Sequence, residues 1–291
     1  MTRVAFQGGP GAYSEEAIRQ YFGSEVETMA CETFDAVFEA VESDTAKYGM
    51  LPVENSVAGS VNRSYELLME HDLRIHAEVI LRVRHALLAP VGTNPASIRT
   101  VRSHPQALAQ CHRYLARRGL EAEAATDTAG AAAELAANPE PGVAVIAGES
   151  AATLTGLEIL DRHIEDEATN FTRFFILTIE DVPRAQRSKT SLVFATPHRP
   201  GALHACLGEF ALRHVSLSKI ESRPRPNRPW QYIFYLDFEG HCRDPECEAA
   251  MIGLLRRCSF VKMLGSYPAA TTPVLETEDA EGSIGNEGEK G

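Results

Sequence analysis

Ala168-Thr169-Asn170-Phe171-Thr172-Arg173-Phe174-Phe175-Ile176-Leu177 is the stretch from which the fold is read. From Phe174 it is an unbroken apolar run into Thr178 and Ile179, the pattern of a strand buried on both faces. Just before the run stand the amide of Asn170, the hydroxyls of Thr169 and Thr172 and the guanidinium of Arg173. Polar groups at the entry of a rigid strand are held against a ligand with little freedom to move. Arg173 admits two readings. Its planar fork of five donors suits a carboxylate or phosphate, or it pairs structurally with a nearby Glu.

The chain around this stretch has 291 residues, 44% of them hydrophobic, enough for a full core and two domains, one of them split. A formal net charge of -12 argues against a nucleic-acid partner, because phosphate binding depends on Lys and Arg. A small anion can still bind where local donors outweigh the global field. The six cysteines lack the paired spacing of a zinc or redox site. Cys242 and Cys247 beside His241 come nearest to a ligand cluster but have no second pair, so no metal is expected and the thiols read as those of a reducing compartment. Met1 to Phe6 enters a strand without an apolar signal core, and no segment is long enough to span a bilayer. The expected location is cytoplasmic.

In the first half, strand-like runs repeatedly deliver small and polar residues to the start of a helix pattern. Arg3 to Gln7 leads into Gly8-Gly9-Pro10-Gly11-Ala12-Tyr13-Ser14, a glycine loop whose N–H groups can approach an anion at a helix N-terminus or simply make a tight turn. Its spacing fails the dinucleotide fingerprint. Tyr48 to Val53 leads into Glu54-Asn55-Ser56, with Glu54 read as turned away from any anion site. Ile98 to Arg102 leads into Ser103-His104-Pro105-Gln106-Ala107-Leu108, with His104 read as structural. Ala122 to Thr126 and Val143 to Ala147 give two more such junctions. Leu73 to Ala89 is β-rich and long enough to leave one lobe and enter another. The expectation is two α/β lobes, the second inserted in the first at about residues 77–160, with helix N-termini facing a cleft between them.

Four ordered motifs, Gly8 to Ser14, Pro52-Val53-Glu54-Asn55-Ser56, Ser103 to Leu108 and Asn170-Phe171-Thr172-Arg173-Phe174, resemble those of the prephenate dehydratase family. The resemblance runs from Val4 to about Pro268. It implies a two-lobed fold like the periplasmic type II binding proteins over residues 1–182, no cofactor, and the decarboxylating dehydration of prephenate to phenylpyruvate on the way to phenylalanine. It places the essential Thr of the family on Thr172, as hydrogen-bond donor to the departing hydroxyl, since a Thr hydroxyl is too weak an acid to ionise near neutrality. Arg173 would hold a carboxylate. Asn55, Ser56, Ser103, Gln106, Gly11 and Asn170 are the candidate substrate-binding residues.

A polar linker, Pro183 to Ser188, precedes a compact βαββαβ module over residues 189–268, a ferredoxin-like order. With Arg199-Pro200-Gly201-Ala202-Leu203-His204 and Glu221-Ser222-Arg223-Pro224 it resembles an ACT regulatory domain. The resemblance implies L-phenylalanine as an allosteric effector and a homodimer, or a tetramer, through this module. Gly201, Ala202 and Leu203 would take the effector carboxylate. Glu221 would face its ammonium or merely pair with Arg223, and Ser222 lies beside it. A catalytic part cut after Pro183 is expected to stay active. Residues 269–291 read as a disordered acidic tail. With no mutase or dehydrogenase segment ahead of Val4, one activity is expected. The rivals are arogenate as substrate, with Thr128 to Ala133 near the substrate side chain, and a solute-binding or sensing protein without chemistry.

Overall fold

The computed structural model describes residues 2–225 and 231–271; the tail expected from residue 269 therefore lies almost wholly outside the described residues. The chain opens with strand β1 (Arg3–Gln7), helix α1 (Tyr13–Phe22), β2 (Glu27–Cys31), α2 (Phe34–Glu42), β3 (Tyr48–Asn55), the short β4 (Gly59–Ser60), α3 (Asn62–Glu70) and β5 (Arg74–Arg82). It continues as β6 (Ala86–Ala89), β7 (Thr100–Ser103), α4 (Pro105–Gln110), α5 (His112–Arg118), β8 (Glu121–Ala124), α6 (Thr128–Ala137), β9 (Val143–Ala147), α7 (Glu149–Thr155) and β10 (Glu158–Arg162), and returns as β11 (Phe171–Thr178). The last part is β12 (Ser188–Ala195), α8 (Ala202–Ala211), β13 (Leu217–Pro224), β14 (Tyr232–Glu239), α9 (Pro245–Leu255) and β15 (Phe260–Pro268).

Three sheets result. The first has the order β2-β1-β3-β11-β5, with β4 paired to β3; the second is β10-β6-β9-β7-β8; the third is β13-β14-β12-β15. The β-rich passage from Leu73 to Ala89 is two strands rather than one. Its first strand stays in the first sheet through Arg82 and its second joins the second sheet at Ala86, so the insertion begins later than residue 77. Val83 donates to the Asn170 carbonyl at 2.8 Å, which joins the outgoing and returning crossovers between the lobes.

Helix starts are specified locally. Thr33 accepts from Ala36 N and Asp127 from Gly130 N as N-caps, and Pro105 opens α4, where its missing N–H costs nothing. Apolar residues Val37, Phe38 and Val41 bury one side of α2.

The third sheet is covered on both sides. Leu192 and Phe194 of β12 pack with Phe210 and Leu254 of the module's own helices. Val193 and Ala195, alternating with them, share a core with Phe38, Val53, Leu68 and Phe175 of the first lobe. Gly265 of β15 lies so close to β5 that a Cβ there would sit 2.8 Å from the Ile75 carbonyl oxygen. The C-terminal module is thus packed on the first sheet, and cutting after Pro183 would bare that apolar face to water. Gly265→Ala is expected to wedge the two apart and lower the free energy of unfolding by about 1–3 kcal/mol, as overpacked cores do, measured by urea denaturation of the full chain.

Candidate functional site

A cleft of about 570 Å³ runs between the first two lobes, within the usual size of small-molecule sites. Its walls are the starts of four helices. The first lobe contributes Gly8, Tyr13 and Ser14 ahead of and within α1 and Thr33 and Phe34 at α2; the second contributes His104 and Gln106 at α4 and Asp127 and Thr128 at α6. Each helix start brings unsatisfied N–H groups and roughly half a unit of positive charge to the wall. Asn55, Thr172 and Phe174 form the floor.

The floor is held by a chain of neutral hydrogen bonds. Asn55 Oδ1 accepts the N–H groups of Val57 (3.1 Å) and Ala58 (2.9 Å), which fixes the orientation of its amide. Nδ2 therefore donates, to Asn170 Oδ1 at 2.8 Å and to Thr172 Oγ1 at 3.0 Å. With Thr172 Oγ1 accepting from Asn55, its own hydrogen remains available for a group in the cleft. Asn170 passes the chain on to Gln110 Oε1 at 3.0 Å, which also meets His85 Nε2 at 2.8 Å. That contact places the imidazole hydrogen on Nε2 and leaves Nδ1, at 2.7 Å, to share the Tyr13 hydroxyl hydrogen with the Arg84 carbonyl at 2.9 Å. Burial raises the Tyr13 phenol well above its ordinary range and lowers His85, so both are neutral.

Of the candidates read from sequence, Asn55, Gln106 and Thr172 line the cleft, and Asn170 stands one layer behind, 1% exposed. Arg173 does not. Adjacent strand residues face opposite sides of a sheet, and Arg173 leaves the far side, where Nε meets Glu78 at 2.7 Å, Nη1 meets Asp237 at 2.7 Å and Nη2 meets the Tyr267 hydroxyl at 3.1 Å. The structural pairing is therefore the one realised. Ser103 is fully buried and donates to the Ile146 carbonyl, tying β7 to β9. Ser56 donates to the Thr169 carbonyl and accepts from Phe171 N, pinning the entry to β11. Gly11 packs against the second lobe, with a Cβ there only 2.8 Å from Ala151 Cα, and its positive φ of 86° explains the glycine. Glu54 points away from the cleft, to Lys219 at 3.0 Å.

Sequence reading missed Tyr13, His85, Gln110 and Arg63. Gln110 was accessible as the i+4 neighbour of Gln106 on one helix face. His85 lies in a crossover with no periodic signal. Arg63 is the one Lys or Arg among the described residues lining the cleft, and it is paired with Asp35 and with Glu66 at 3.2 Å.

In the C-terminal module, Gly201, Ala202 and Leu203 line a second cavity of about 340 Å³ with Arg199, Tyr232 and Phe234. Glu221 and Ser222 are not part of it. Glu221 pairs with Arg223 at 2.6 Å and Lys219 at 3.1 Å, and Ser222 is exposed on β13.

His85 also predicts an acid limit. Because burial puts its folded value below 6.5, the unfolded chain takes the proton first. Its contribution to stability is complete above that pH and is lost as the pH falls through the folded value. Urea unfolding as a function of pH is expected to show this acid loss in the wild type and a smaller one in His85→Gln.

A sequence model described as prephenate dehydratase matches residues 4–182. A chloroplastic protein of Arabidopsis thaliana named arogenate dehydratase/prephenate dehydratase 2 is 44% identical over 93% of this chain and 74% of its own. Among solved structures, a prephenate dehydratase from Arthrobacter aurescens in complex with L-Phe superposes with a TM-score of 0.84 at 30% identity, covering 92% of this chain and 90% of that one. A protein described as a novel type of quorum quenching acylase superposes with a TM-score of 0.85 at 36% identity, covering 92% and 98%.

Proposed function

The chain belongs to the prephenate dehydratase family, and from that premise we propose that its cleft dehydrates and decarboxylates prephenate to phenylpyruvate, water and carbon dioxide. The observation that carries this reading is the Asn55–Thr172 contact, in which the amide donates to the hydroxyl oxygen and leaves the hydroxyl hydrogen for the substrate. In the reaction the bond from ring carbon to carboxylate breaks, its electron pair enters the ring, and the carbon–oxygen bond on the opposite carbon breaks as the ring becomes aromatic. The departing hydroxide takes up a proton and leaves as water. Thr172 donates a hydrogen bond to the developing oxyanion, and the proton itself comes through solvent or a relay. Gln106 and the helix N-termini orient the two carboxylates. Arg63 takes the role first assigned to Arg173, receiving a carboxylate by exchange with Asp35.

Arogenate is the second reading. The name of the Arabidopsis relative gives arogenate beside prephenate, and the carboxylates of Glu32 and Asp127 on the cleft wall suit an ammonium group. The acylase description of one relative finds no support at Thr172. A nucleophilic hydroxyl needs a base to take its proton, and here its oxygen meets an amide N–H.

In the same reading the C-terminal module is an ACT domain that binds L-phenylalanine and lowers activity. The effector carboxylate would sit at the start of α8 with Gly201, Ala202 and Leu203, and its ring against Tyr232 and Phe234. The outer edge of β13, which pairs with no other strand among the described residues, and the exposed Ile220 on it support a second copy of the chain adding there.

The test is a steady-state assay of the purified chain with prephenate and with arogenate, with and without phenylalanine. Thr172→Ala is expected to cut kcat by roughly a hundredfold or more with little change in KM, in line with loss of an oxyanion donor. Arg63→Gln is expected to act mainly on KM, about tenfold, as a lost ground-state contact does. Wild-type turnover of neither acid, or full activity in Thr172→Ala, would reject the proposal.

A further inference from the structure

Asn55 and Thr172 meet on the cleft floor, and their chain neighbours Glu54 and Arg173 stand opposite each other on the back of the same sheet. Both are gripped there by the C-terminal module. Arg173 binds Asp237 of β14 and Tyr267 of β15, and shares Glu78 with Lys189 of β12, whose Nζ lies 2.7 Å from Glu78 Oε1. The side chains are enclosed: Glu78 is 0% exposed, Asp237 6% and Arg173 13%. Glu54 binds Lys219 of β13, and Ser60 of β4 donates to Glu221 of the same strand. The pairing of β11 with β3 shifts register between Arg173 and Phe174, where β3 carries Val53 as an extra residue, so β3 is bulged right beside Glu54 while β11 stays there in regular register with β5.

We infer that Arg173 and Glu54 are positioning residues through which the C-terminal module holds the Asn55–Thr172 pair in its working geometry; the inference rests on the dehydratase reading above. A shift of either strand along its axis changes the 3.0 Å contact on which the donor orientation of Thr172 depends. The module side of the link is also connected to its own cavity. Tyr232 and Phe234 line that cavity, and Asp237 lies further along the same strand, bound to Arg173. A ligand that moves β14 therefore acts on β11 through the Asp237–Arg173 pair as well as through the apolar core that Tyr235 shares with Phe175. This is a physical contact with two ends, and its coupling is measurable.

The experiment uses the full chain with whichever acid the wild type turns over. It compares Arg173→Gln, Arg173→Lys, Asp237→Asn, Glu54→Gln and the Arg173→Gln/Asp237→Asn double variant. Arg173→Gln and Asp237→Asn are each expected to lower kcat about tenfold to a hundredfold, the scale of a misplaced catalytic group, with KM within about twofold. The double variant should be no worse than its worse parent, Arg173→Lys should recover part of the loss, and Glu54→Gln should show a smaller fall in kcat. Losses that multiply in the double variant, or wild-type kcat in either folded single variant, overturn the inference. Should Arg173→Gln fail to fold, the isosteric Asp237→Asn decides it, and an unchanged kcat there rejects it. An active wild type with unaffected variants removes this inference alone, whereas a wild type inactive on both acids removes the dehydratase reading and this inference with it.

Discussion

Successive side chains of a β-strand leave on opposite faces, and at Thr172 and Arg173 that rule serves two purposes at once. Thr172 reaches the cleft floor, and Arg173 reaches the ionic cluster under the C-terminal module. Asn55 and Glu54 do the same on the neighbouring strand. The sheet between them has no slack, because Phe174 to Leu177 are buried on both of its faces. The cleft and the module are therefore the two sides of one rigid layer, and neither can be rearranged without the other.

The cluster behind that layer is weak as a source of net stability and strong as a constraint on geometry. Taking Glu78, Arg173 and Asp237 out of water costs several kcal/mol per ion, which their mutual attraction and hydrogen bonds offset. Here the partners are nearly complete: Glu78 accepts from Arg173, Lys189 and the Ala270 N–H, while Asp237 accepts from Arg173 and Ser191. Removing one member would strand a buried charge. The shared apolar core of Val193, Tyr235, Leu264 and Phe175 supplies the driving force for docking, and the ions select one register.

The cleft follows the opposite logic. Its floor is a neutral network in which Tyr13, His85, Gln110, Asn170 and Asn55 each satisfy the next, and the Thr172 hydrogen is left for a group in the cleft. Positive potential comes from helix starts and from Arg63 instead of a basic surface. This is how a chain of net charge -12 can offer a site to a small dianion.

Much of the architecture is legible without coordinates. Strand periodicity, N-caps at Thr33 and Asp127 and the repeated strand-to-helix junctions are local properties, set by propensity and capping within a few residues. Thr172, Asn55 and Gln106 could be singled out because motif order marks them, and Gln110 because helical spacing puts it beside Gln106. The facing of Arg173, the burial of Ser103, the use of Ser56 as a pin and the packing of Gly11 on Ala151 could not be read that way. Nor could His85, whose partners Tyr13 and Gln110 are distant in sequence. The sequence by itself determined which segments are strands and helices and which side chains can donate or accept. Tertiary structure alone decided which face of each element meets which partner, because burial and pairing are set by elements far apart in the chain, and a period of two is the same pattern whichever side is turned to the cleft.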